Sequence, residues 1–135
     1  VEPSIGIDRI FYAMCNILLQ SRESESTKIV FDLPEICMPY DLAIFSLLSN
    51  DKLESYTRRI IHELSSKLNI YVDFSSTTIG KKYVRSDSIG IKYVITVDYV
   101  SLEDDTATIR VANTCEQYRI KSVDIPDVIR KLIFG

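Results

Sequence analysis

From residue 41 onward, short apolar runs alternate with longer stretches whose apolar residues recur every three to four positions, and this order constrains the fold more than any other feature. Residues 42–48 are almost continuously apolar, as a strand covered on both faces must be. A helix follows, with Leu53, Tyr56, Ile60, Ile61, Leu64 and Leu68 on one arc and Arg58, Arg59 and the single histidine, His62, away from it. Residues 70–74 read as a second strand. The hydroxyls of residues 75–78 then suit the cap of a helix reaching about Ser88, and Gly90 stands where a helix stop belongs. Residues 91–100 read as a third strand.

The next pair of strands can be registered from the sequence alone. Ala107, Ile109 and Val111 alternate with Thr108 and Arg110, and a partner runs over residues 116–121. Matching apolar to apolar sets Ile109 against Tyr118 and Ala107 against Ile120, so Arg110 faces Gln117, Thr108 faces Arg119, and residues 112–115 form the hairpin loop. A last helix opens at Asp124 with Pro126 in its first turn, buries Ile125, Val128, Ile129 and Leu132, and stops at Gly135. The order β-α-β-α-β-β-α predicts an α/β domain: a mixed sheet with flanking helices, its first three strands parallel through helical crossovers and its end antiparallel.

Ahead of this domain, Ile7, Ile10, Phe11, Met14, Ile17 and Leu18 predict an N-terminal helix, and residues 20–28 are a polar, charged run without period that reads as a linker. A chain of 135 residues, 46% of them apolar, can bury one substantial core without a disulfide or metal. No apolar run approaches the roughly eighteen residues of a membrane span, so a soluble chain with no membrane partner is expected. Sixteen Lys and Arg against nineteen Asp and Glu exclude the broad cationic field of a non-specific nucleic-acid coat, leaving only local contacts. Cys15, Cys37 and Cys115 match no zinc or redox spacing and read as reduced thiols of a cytosolic protein; no metal site is expected.

Phosphate-binding loops, dinucleotide fingerprints and nucleophile elbows are all absent, and His62 reads as a solvated surface residue. Two stretches remain. In the first, Arg9 follows Gly6 in the opening turn of the N-terminal helix, where a guanidinium can stack on an aromatic base or simply face solvent. In the second, Lys81, Lys82 and Arg85 put a positive patch on an acidic chain: residues 79–92 carry a net charge of +3 against −3 for the whole. Such a patch is either a solvated face or an RNA contact. Asp87 falls in the apolar arc and last turn of that helix, where the dipole disfavours a carboxylate, so it needs a partner: an arginine, backbone amides, or a base.

The residues Glu2-Pro-Ser-Ile-Gly-Ile-Asp-Arg9 resemble motif 3 of class II aminoacyl-tRNA synthetases in the form seen in glycyl-tRNA synthetases. Residues 72–90, followed by Ile95-Thr-Val-Asp98 and Thr106-Ala-Thr-Ile-Arg110, resemble the anticodon-binding domain of the same family. The resemblance implies that residues 1–27 are the end of a catalytic domain with a linker and that 28–135 are an anticodon-binding domain. It implies glycine contacts at Glu2 and Ser4, an ATP contact at Arg9, and anticodon contacts at Lys81, Lys82, Arg85, Asp87 and Arg110.

The parent so implied is a cytoplasmic, homodimeric ligase that joins glycine to tRNA(Gly) using ATP with Mg2+; whether a mitochondrion is also served stays open. Motifs 1 and 2 are not in these residues, so the chain alone is expected to be inactive and to bind no cofactor. The alternative is a non-catalytic nucleic-acid-binding accessory subunit built on the same domain, against which the intact Glu2, Ser4 and Arg9 argue. One departure stands out. Where the family carries an arginine-aspartate pair after the strand ending near Arg110, this chain has Ala112 and Asn113, so charge is lost from the hairpin tip.

Overall fold

A computed structural model of the chain describes residues 2–22 and 25–135. The N-terminal part is helix α1 (Ile7–Leu18) followed by strands β1 (Leu19–Arg22) and β2 (Glu25–Phe31). Instead of a linker, the polar run builds most of an antiparallel ribbon in which Leu19 pairs with Phe31 and Ser21 with Ile29; residues 23 and 24 of that run lie outside the described residues. A two-stranded ribbon has little to bury, so its strands need no apolar alternation and periodicity could not reveal them. The division expected between residues 27 and 28 falls within β2.

The rest is β3 (Leu42–Ser46), α2 (Asp51–Leu64), β4 (Ile70–Val72), α3 (Ile79–Ser88), β5 (Tyr93–Val97), α4 (Tyr99–Asp104), β6 (Thr106–Val111), β7 (Gln117–Lys121) and α5 (Ile125–Phe134). The five strands lie in the order β4-β3-β5-β6-β7, with β3 parallel to β4 and β5 and the remaining pairs antiparallel. This is the expected mixed sheet. The hairpin register also agrees: Ile109 pairs with Tyr118, Ala107 with Ile120, Thr108 with Arg119 and Arg110 with Gln117.

Successive residues of a strand point to opposite faces, and both faces of β3 are covered. Leu42 and Ile44 join the larger core with Leu53, Ile60 and Leu64 of α2 and Ile125 and Ile129 of α5. Ala43 and Phe45 join a smaller one with Ile91 and Val94, closed by half-buried Tyr71, Ile79 and Tyr83. Each fully buried Leu, Ile or Phe contributes about 1.5–3 kcal/mol, so the larger cluster supplies most of the stability. Consequently α3 covers the smaller face with β2 packed against it, and the polar alternates of β6 and β7 lie beside it.

Two expectations are corrected. The third strand stops at Val97, because Asp98 caps α4: its carboxylate accepts from the Ser101 amide at 3.0 Å while the Ser101 hydroxyl accepts from the Asp98 amide at 3.0 Å. Thr78 is the residue before α3, yet its hydroxyl caps nothing; Asp73 instead accepts from the Ser75 amide at 2.8 Å and turns the chain. Gly90 ends α3 with φ +87°, and a methyl group there would run into Leu33.

Candidate nucleic-acid interface

Helix α3 forms because its apolar arc has a core to cover. Ile79 and Tyr83 pack on the smaller core, and the Tyr83 hydroxyl lies 2.7 Å from that of Thr96 on β5. The opposite side of the helix is solvent-facing and carries Lys81 and Arg85. Lys82, expected beside them, is not available to a ligand: it is 3% exposed, its Nζ donates to the Asp73 carbonyl at 2.9 Å, and it lies 6.0 Å from the centre of the Phe45 ring. Its four-carbon stem can run along apolar surface, so a lysine at the border of the arc turned inward.

Arg85 is half-exposed and bonds to Asp73 at 2.5 Å. Burial works against the Asp73 carboxylate, but hydrogen bonds from Ser75 and the charges of Arg85 and Lys82 outweigh it and hold its pKa below the usual range. Asp73 therefore organises both cations of α3 that face it. Sequence reasoning missed this residue, although an aspartate two places before a serine at a strand end is a turn signal.

Asp87 finds its partner on β6. Both carboxylate oxygens accept from Arg110, at 2.9 and 3.0 Å, and the guanidinium lies 4.6 Å from the centre of the Tyr83 ring. At 2% and 4% exposure, the two residues face each other rather than solvent. Burial opposes the Arg110 charge, and Asp87 more than offsets it, leaving the guanidinium pKa above its ordinary value.

Beside this pair, the same face of the sheet carries Thr108, Gln117 and Arg119. Arg119 grips Asp98 at 2.8 and 3.1 Å and donates to Thr106 at 2.9 Å, which, against the cost of burial, holds the Asp98 carboxyl below its usual range. This cluster was also missed, because its members are spread over residues 98–119. At the hairpin tip, Asn113 donates to Asp32 at 2.7 Å, and Lys92 lies 3.2 Å from Asp32 and 3.0 Å from Glu35. The altered tip is thus a neutral link to the segment after β2. Among the ligands expected for catalysis, Glu2, Ser4 and Arg9 stand exposed around the start of α1.

These carboxylates set an acid limit. The Asn113 hydrogen bond, opposed by burial and aided by Lys92, lowers Asp32, and the Lys92 hydrogen bond lowers Glu35. With Asp73 and Asp98 they have folded pKa values below the ordinary 3.8 of aspartate and 4.5 of glutamate. A depressed carboxylate stabilises the fold fully above its unfolded pKa and loses that contribution as pH falls through the folded value. The urea midpoint should therefore be level near neutrality and fall below about pH 4. A midpoint that rises on acidification contradicts the pairing.

The sequence pattern of the family described as "Anticodon binding domain" matches residues 41–132, which begin just before β3 and end within α5. The chain belongs to the anticodon-binding domain family. Glycine–tRNA ligases from Methanothrix thermoacetophila, Drosophila melanogaster and Borrelia garinii subsp. bavariensis are 40%, 37% and 39% identical over 138, 134 and 137 residues, covering 98–100% of the chain. The chain spans only 24%, 18% and 31% of their lengths.

A crystal structure of prolyl-tRNA synthetase from Cryptosporidium parvum, complexed with L-proline and AMP, superposes with a TM-score of 0.70 at 18% identity, over 76% of the chain and 22% of that protein. The two share a fold over that part, the mixed sheet with its flanking helices. Within this domain, no helix among the described residues is long and apolar enough to cross a membrane, and no group of three or more His, Cys, Asp or Glu among them could hold a metal ion.

Proposed function

We propose that this chain is the C-terminal part of a glycine–tRNA ligase and that its anticodon-binding domain engages the anticodon loop of tRNA(Gly). The observation that carries this reading is the extent of the likeness: it covers the whole chain, including residues before 41 that the domain pattern does not reach, where Glu2, Ser4 and Arg9 lie. The division between a catalytic segment up to residue 27 and the anticodon-binding domain from 28 belongs to the same proposal, with the β1–β2 ribbon as the joint.

In the parent enzyme, a homodimer in the cytoplasm, Glu2 and Ser4 would hold the ammonium group of glycine and Arg9 the adenine of ATP. A carboxylate and a hydroxyl suit that ammonium, and glycine offers no side chain to grip. The 135-residue chain itself should not support glycine-dependent pyrophosphate exchange, because exposed groups around one helix start do not converge on a reacting centre. Measurable exchange would overturn this part.

The anticodon face is α3 with the neighbouring strip of β6 and β7. Lys81 and Arg85 offer charge to phosphate, Gln117 offers donors and an acceptor to base edges, and the Asp87–Arg110 and Asp98–Arg119 pairs hold the face around them. Glycine anticodons end in two cytosines, whose pairing edge carries an amino donor and two acceptors; a side-chain amide matches part of it. Titrating wild type and Lys81→Ala with a glycine anticodon stem-loop over a range of salt tests this. Lys81→Ala should weaken binding to every stem-loop alike and reduce the salt slope by about one. No binding at moderate salt would remove RNA from the account.

A further inference from the structure

Asp32 stands where three parts of the molecule meet, ahead of the residues that the family pattern matches. Its amide donates to the carbonyl of Leu18, the last residue of α1, at 2.9 Å. Its carboxylate accepts from Asn113, at the tip of the β6–β7 hairpin, at 2.7 Å and lies 3.2 Å from Lys92, just before β5. Next to it Leu33, 5% exposed, closes on the end of α3, where a Cβ at Gly90 would come within 2.4 Å of its side chain. This junction joins α1 to the elements that carry the proposed anticodon face. Packing does little to hold α1 by itself. Among the described residues none of α1 is buried, and Phe11 and Met14 line an open cavity of about 410 Å3 with Phe31, Leu33 and Ile89 instead of interlocking with them. A close-packed contact would fix the helix by shape, whereas an open one leaves its direction to the hydrogen bonds at its end.

We propose that Asp32 is a positioning residue: by binding the end of α1, the hairpin tip and Lys92 at once, it makes α1 and the anticodon-binding domain a single rigid unit. A carboxylate suits the task, since it accepts several donors and its hydrogen bonds are about twice as strong as those between neutral groups. Lys92 is itself held at the junction by Glu35 at 3.0 Å. That Glu2, Ser4 and Arg9 thereby keep a fixed pose toward the RNA-binding face rests on the reading of the chain as part of a glycine–tRNA ligase. The rigidity does not.

Amide nitrogen NMR relaxation of the 135-residue chain, measured without RNA, tests this, so its outcome is independent of whether the domain binds an anticodon. In wild type, the amides of α1 should have order parameters of about 0.85 and the rotational correlation time of β5 and β6. Asp32→Ala should drop the order parameters of α1 below about 0.6 while β5 and β6 keep theirs. Asp32→Asn, which keeps an acceptor for Asn113 but no charge for Lys92, should fall between the two. Asn113→Ala, 81 residues from Asp32 along the chain, should also loosen α1, though less, because Lys92 still meets the carboxylate. If Asp32→Ala disturbs the sheet as well, Asp32→Asn and Asn113→Ala decide. An α1 more mobile than the sheet in wild type, or unchanged in every variant whose sheet stays folded, overturns the inference and leaves the anticodon reading standing.

Discussion

Alanine in place of Asp87 is expected to lower the unfolding free energy by about 3–5 kcal/mol, the scale found when one partner of a buried ion pair is removed. The reason lies in what remains. Arg110 is 4% exposed, stacked against Tyr83, and cannot give up its proton, so without the carboxylate it becomes a buried charge that burial already disfavours. Arg110→Ala should also be costly, since it removes both hydrogen bonds that Arg110 gives the buried Asp87 carboxylate.

The double variant should lose distinctly less than the sum of the two, because removing both charges leaves neither uncompensated. Urea unfolding of the four proteins measures this coupling. A loss below about 1 kcal/mol for Asp87→Ala, typical of an exposed pair, would mean that the pair opens readily and that the carboxylate is free to meet a base after all.

Much of the fold was legible because its signals were local or paired. Ala107, Ile109 and Val111 alternate on one strand as Tyr118 and Ile120 do on the next, and a slip of one residue would turn every one of them to the wrong face, so the register followed from the pattern. The parallel order of β3, β4 and β5 followed from apolar runs separated by amphipathic helices. Helix α4 was not legible by period, since Tyr99–Asp104 is shorter than two turns, and only the Asp98 and Ser101 spacing of a capping box marks it.

The interface was legible in part. The sequence shows that Asp87 needs a partner but not which one, because Arg110 is 23 residues away and reaches it only through the sheet. Lys82 misled for a physical reason: residue type assigns a lysine to solvent, whereas position on the helix border and a carbonyl acceptor at Asp73 decide otherwise.

The central claim, that this domain reads the anticodon of tRNA(Gly), is tested most directly by titrating the chain at moderate salt with anticodon stem-loops in which each of the last two cytosines is replaced in turn. Binding of the matched loop should be weak and salt-sensitive, since few exposed cations meet phosphate, and each replacement should cost about 1–3 kcal/mol, the value of one well-formed base contact. Equal affinity for the matched and replaced loops would contradict the claim.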